Sequence, residues 1–182
     1  GELVRSRKNQ KAGGWTDISG DALSDDEMRS LLACALGGAG AVVAFVWHPR
    51  GARRFLFWEA LEGNGWRVAQ EIVWVKNALV FGRADYQWRH EPCLYAKREG
   101  APPQSDRTQT TVWECNKPTD SQHPTQKPVE LFTRPIKNHT DSGDIVYDPF
   151  CGSGTTMVAC ENLGRKARCI EIAPGYVAVI LQ

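Results

Sequence analysis

The chain has 182 residues, with 22 Lys and Arg against 21 Asp and Glu and a formal net charge of +1. That length fits one domain and disfavours two, while the balanced charge excludes a uniformly basic chain and confines any polyanion-binding surface to a local patch. Hydrophobic residues at 42% and charged residues at 24%, with 17 Gly and 10 Pro, exclude collagen-like and low-complexity classes and fit a globular protein able to bury a core.

The N-terminal stretch Gly1 to Lys8 lacks the apolar core of a secretory signal and does not begin with Met, which hints at a fragment. The first helix opens at Ser24, with Glu27 three residues on as a capping box, and runs to about Leu36 before Gly37 and Gly38. The longest uncharged stretch, 31–47, is interrupted by glycines and is too short in its apolar runs to span a bilayer. Its second half, 41–47, is an unbroken apolar run and reads as a strand buried on both faces, ended by His48-Pro49. A helix carrying Phe55, Leu56, Trp58 and Leu61 leads to a strand at 68–75, and a third strand spans about 92–97. Residues 98–122 are polar, contain Pro102-Pro103, and read as a long functional loop.

Beyond it, Pro128 suits the first residue of a helix, although Pro135 should kink that helix or end it early, at a cost of about 3 kcal/mol. A strand over 144–148, a Gly-rich turn, a helix from about Thr155 to Leu163 stopped by Gly164, a strand over 167–171 and a last helix from Pro174 follow. Alternating strands and helices imply an α/β fold, a mostly parallel sheet with helices on both faces. The six cysteines form neither a Cys-x-x-Cys pair nor a cluster with His at zinc spacing. No metal is expected, and reduced thiols point to a cytoplasmic protein.

Strand, then Asp148-Pro149-Phe150-Cys151-Gly152-Ser153-Gly154-Thr155-Thr156, then helix, brings a ligand close to the backbone at a helix N-terminus. Glu171 follows 19 residues after Gly152, near where an acid meets ribose hydroxyls in such folds, so the ligand is a nucleoside. A triphosphate loop would need a lysine after Gly154, and none is there. A dinucleotide fingerprint would need a third glycine where this chain has Met157. A purely structural corner is the bland alternative to a lone Gly-x-Gly, and Asp148 with Glu171 outweighs it.

These residues resemble a known family. The Asp-Pro-Phe-x-Gly-Ser-Gly-Thr-Thr string, with His123-Pro124-Thr125-Gln126-Lys127-Pro128 before it and Glu171 after it, is similar to the DNA amino-methyltransferases that use S-adenosylmethionine. Those enzymes methylate N6 of adenine or N4 of cytosine in double-stranded DNA. The similarity extends to Trp74-Val75-Lys76, to the stretch from Tyr86 to Pro92 and to Leu94-Tyr95. It implies a Rossmann-like class I methyltransferase fold over 1–182, with a catalytic half at 1–97, a loop in the target-recognition position at 98–122, and a cofactor half at 123–182. It also implies that Asp148, Pro149, Phe150, Gly152, Ser153, Gly154 and Thr155 line the cofactor, that Glu171 holds its ribose, and that Thr125 and Lys127 meet its methionine end.

Only 34 residues follow Asp148, so the catalytic half must precede it, which places the chain in the permuted subgroup. The family's catalytic tetrapeptide, Asp/Asn/Ser-Pro-Pro-aromatic, is absent, since Pro102-Pro103 precedes Gln104. The resemblance puts that motif just ahead of Gly1, on a strand between 41–47 and 144–148, so the sheet should lack its central strand and this chain alone should be inactive. A non-catalytic S-adenosylmethionine- or DNA-binding subunit and a nicotinamide-dependent oxidoreductase are the rival readings. For DNA, Arg5, Arg7, Lys8, Lys11, Arg83 and Arg89 are the phosphate-contact candidates, whereas Trp74 and Tyr95, placed on strands, are better read as core. His90-Glu91 is assigned a structural or positioning role.

Overall fold

The computed structural model describes residues 23–38, 40–77, 81–82, 85–116 and 126–181. Helix α1 (Asp25–Gly37) is set by its cap: the Ser24 hydroxyl accepts from the Glu27 amide at 3.3 Å and the Glu27 carboxylate accepts from the Ser24 amide at 2.8 Å. Two of the helix's orphan N-terminal donors are thereby satisfied, and three acids occupy its first turn, where the helix dipole favours them.

Strand β1 (Val43–Trp47), helix α2 (Arg54–Gly63) and strand β2 (Arg67–Val75) follow the sequence reading in position, but β1 is an edge strand half-buried along its length rather than buried on both faces. The next strand, β3 (His90–Lys97), inserts between them and runs antiparallel to both, from Val43 opposite Lys97 to Trp47 opposite Cys93, and from Arg67 opposite Lys97 to Val75 opposite His90. The expectation of a mostly parallel sheet is corrected here: this sheet is mixed, in the order β1-β3-β2-β4. The cause is the connection 76–89, which carries no helix among its described residues. Without a crossover the chain re-enters the sheet at the end it left, and antiparallel pairing follows. Strand β4 (Val112–Glu114) pairs parallel with the outer edge of β2, so the long loop is not wholly irregular.

Helix α3 (Glu130–His139) begins two residues after Pro128 and continues four residues beyond Pro135. Early termination is therefore also corrected. Pro135 deprives only the Leu131 carbonyl of its helical partner, and burial of Leu131 and Ile136 offsets that loss. Strand β5 (Ile145–Asp148), helix α4 (Thr155–Leu163) and strand β6 (Lys166–Cys169) form a parallel unit, and helix α5 (Pro174–Ile180) closes the described chain. Strand β6 stops at Cys169, so Glu171 lies two residues past it.

Period-two alternation on β3 explains its continuous apolar run. Cys93 and Tyr95 face a core with Ile72, Trp74, Trp113, Cys115 and Leu131, while Leu94 and Ala96 face Leu61 and Trp66 under α1 and α2. Trp74 and Tyr95 are indeed core, 1% and 3% exposed. A smaller cluster of Ile136, Ala159 and Cys160 joins α3 and α4 to Val146 and Ala167. Among the described residues β5 and β6 form a separate two-stranded sheet, and β1 is an edge of the other sheet.

Candidate functional site

The turn after β5 is held from inside. Asp148 accepts from the Phe150 amide at 3.0 Å with one carboxylate oxygen and from the Thr156 hydroxyl at 2.5 Å with the other. The Ile170 amide donates to the Asp148 carbonyl at 2.9 Å and the Cys151 amide to the Ile170 carbonyl at 3.0 Å, which extends the β5–β6 pairing beyond the strands. Asp148 thus braces the turn. Gly152 and Gly154 adopt φ of +55° and +84°, which residues with a Cβ rarely enter, and Gly154 caps α4 in the left-handed conformation.

Glu171 curls over this turn. One carboxylate oxygen accepts from the Gly152 amide and the other from the Ala173 amide, each at 2.7 Å. A side chain at Gly152 would project into space open for 4 Å, whereas one at Gly154 would meet Ile180 Cγ1 at 2.9 Å. Exposed Phe150, Ile170 and Ile172 flank the opening, and Pro149 and Ser153 are half-buried beside it. The arrangement offers an acid with unused lone pairs, an approachable backbone and apolar edges. A nucleoside sugar and base require that chemistry.

Lys127 joins the turn to the larger sheet. Its carbonyl accepts from the buried Thr155 hydroxyl at 3.5 Å, while its ammonium lies 3.4 Å from Glu91 and 5.4 Å from the centre of the Trp47 ring. Lys76 takes the other Glu91 oxygen at 2.5 Å. Burial pushes the Glu91 carboxyl upward, but Lys127 and Lys76 outweigh it and hold the group below its ordinary value. A Glu91 kept anionic fixes both ammonium groups where the carboxyl ends of β1 and β2 meet the start of α3.

Of the sequence-predicted DNA contacts, Arg89 is exposed and its Nε donates to the Lys76 carbonyl at 3.0 Å. Arg5, Arg7, Lys8, Lys11, Arg83 and Thr125 lie outside the described residues. Sequence reasoning missed the turn after β1, where Arg50, Arg53 and Arg54 are all exposed. The signal was available, as three arginines within five residues directly after an apolar strand. Among the described residues no His, Cys, Asp and Glu group has the arrangement of a metal site, and no helix is long and apolar enough to cross a membrane.

The family model for N6 and N4 DNA methylases matches residues 26–182. The chain belongs to that family. It is 35% identical over 135 residues to the type II methyltransferase M.XycI of Xanthomonas campestris pv. cyanopsidis, covering 66% of this chain and 45% of that protein, and equally so to M.Cfr9I of Citrobacter freundii. The chain therefore spans about half the length of the curated relatives it matches. The solved M1.HpyAVI–SAM complex superposes with a TM-score of 0.65 at 31% identity, covering 76% of this chain and 72% of that one. The cytosine-N4-specific PvuII DNA methyltransferase, at 18% identity, a TM-score of 0.64 and coverage of 76% and 61%, shows the same fold. The fold is thus the Rossmann-like α/β architecture of class I methyltransferases.

Proposed function

We propose that the whole protein transfers a methyl group from S-adenosylmethionine to an exocyclic amine in double-stranded DNA. N6 of adenine is the favoured acceptor and N4 of cytosine the alternative. The observation that carries the cofactor assignment is the Glu171 carboxylate poised at 2.7 Å from the Gly152 amide beside open space. In this reading Glu171 accepts hydrogen bonds from the ribose hydroxyls, Phe150 and Ile172 cover the base, and Asp148 keeps the turn in shape. When bound, the cofactor supplies an electrophilic methyl on a sulfonium. The relative solved with SAM supports the choice of nucleoside, and Met157 at the third-glycine position disfavours a nicotinamide dinucleotide.

The amine itself must be oriented by hydrogen-bond acceptors, and the flipped base by an aromatic face. The tetrapeptide that does both in the family is not in this sequence. We infer that a strand bearing it pairs between β1 and β5, and that the 182 residues alone do not transfer methyl groups. A second reading, a cofactor- or DNA-binding subunit without catalysis, is favoured by the same missing motif.

Titration calorimetry tests the cofactor assignment. The chain should bind S-adenosylmethionine and not NAD, and Glu171→Ala should weaken binding roughly 10- to 100-fold, as expected for hydrogen bonds to a charged group. NAD binding without S-adenosylmethionine binding would overturn it. Activity of a version extended upstream, assayed on duplexes offering adenine or cytosine, separates enzyme from subunit and N6 from N4.

A further inference from the structure

We infer that the loop after β1 and the segment leading into β3 form a nucleic-acid platform, on which Arg50 and Arg54 meet phosphates and Trp88 with Tyr86 stacks on an unstacked base; this rests on the DNA-methylase reading above. The two segments lie side by side. The His48 amide donates to the Pro92 carbonyl at 3.3 Å, and the Arg50 guanidinium sits 4.9 Å from the centre of the Trp88 ring. Both occupy the end of the sheet that holds Lys76, Glu91 and Lys127, and Lys127 connects that end to the glycine turn.

Exposure and chemistry select the occupant. Tyr86 is 89% and Trp88 44% exposed, while Trp66, Trp74 and Trp113 are at most 3% exposed. Exposed large side chains in this segment are aromatic rings rather than aliphatic groups, and a ring face suits a base whatever its identity. Arg53 is already held by Asp25 at 3.2 Å. Arg50 and Arg54, by contrast, lie against the rings of Trp88 and Phe55, and among the described residues neither is paired with a carboxylate. Glu91 is neutralised by two lysines, which leaves Asp85 as the exposed acid of the segment. The Trp88 ring, contacted by Arg50 and edge-on by His90, stays half-exposed and Tyr86 is open, and arginines beside such rings fit a polyanion with π faces better than an apolar protein surface.

The test uses the full chain and fluorescence anisotropy with two labelled duplexes, one matched and one carrying a single unpaired base, between 50 and 200 mM salt. Arg50→Ala should weaken binding to both and flatten the slope of log K against log salt by about one. Trp88→Ala should weaken binding to the unpaired-base duplex roughly 5- to 150-fold without changing the slope, and Trp88→Phe should recover most of it. Affinity for S-adenosylmethionine should be the same in all three variants, which shows that they fold. Parent-like DNA binding by Arg50→Ala or Trp88→Ala overturns the platform, as does a parent chain that binds the cofactor but no DNA, including one whose patch captures a protein instead. A chain that binds neither cofactor nor DNA overturns the functional reading beneath it.

Discussion

Gly152 and Gly154 look equivalent in sequence and differ in what surrounds them. Both hold positive φ, so alanine at either costs about 1–2 kcal/mol of backbone strain. At Gly154 the added methyl also meets Ile180 Cγ1 at 2.9 Å, which raises the expected loss to about 2–4 kcal/mol. Gly154→Ala should therefore lower the melting temperature more than Gly152→Ala. A double-mutant cycle with Ile180→Ala should show a coupling of about 1 kcal/mol or more, and additive effects would refute the contact. Gly152→Ala should instead lower cofactor affinity, because its methyl enters the open space beside the turn.

His139 supplies a pH dependence. Its ring lies 5.5 Å from that of Phe45 and 5.4 Å from that of Tyr95, its Nδ1 has no partner among the described residues, and burial, followed by the nearby Lys97, pulls its pKa down from 6.5 to about 4. Between those values the unfolded chain binds the proton and the folded chain does not, so stability is full above about pH 6.5 and falls as the pH drops toward 4. The ring's partial exposure limits the effect to about 1–2 kcal/mol. Denaturant melts at pH 7 and pH 4.5 should show a smaller acid loss in His139→Gln than in the parent.

At the scale of the element, α1 shows how local chemistry fixes structure. Ser24→Ala removes both hydroxyl contacts of the cap and should lower the melting temperature by about 2–4 °C, with Ser24→Asp restoring most of it. Such signals were legible because they act between near neighbours: the capping box, the glycine stop at Gly164, and the turn from Asp148 to Thr155 appear where the sequence places them. Nonlocal choices were not legible. Nothing local in Val112-Trp113-Glu114 distinguishes three strand residues from loop, since their order comes from pairing with Val73, Trp74 and Val75 across the sheet. The direction of β3 likewise depends on where its connection returns, not on its apolar letters. Glu171 was identifiable from its spacing, whereas its contact with the Gly152 amide needed Ile170 to extend the β5–β6 pairing.

Across the whole molecule, burial is uneven. The four-stranded sheet is covered on both faces and β3 is paired along both edges, whereas β5 and β6 pair with each other and rest on the small cluster around Ile136 and Ala159. Local unfolding free energy follows buried apolar contact, so the unit from β5 to β6 should open first. The glycine turn and Glu171 belong to that unit, which means that a ligand there stabilises the part with least stability of its own. At a ligand concentration of 100 times Kd the expected gain is about 2.7 kcal/mol. Hydrogen exchange should then slow about 100-fold for amides of 145–171 on adding S-adenosylmethionine, while the slowest amides of β3 change less. If protection rises equally in both sheets, they open as one cooperative body; if it rises only in the four-stranded sheet, the cofactor sits elsewhere.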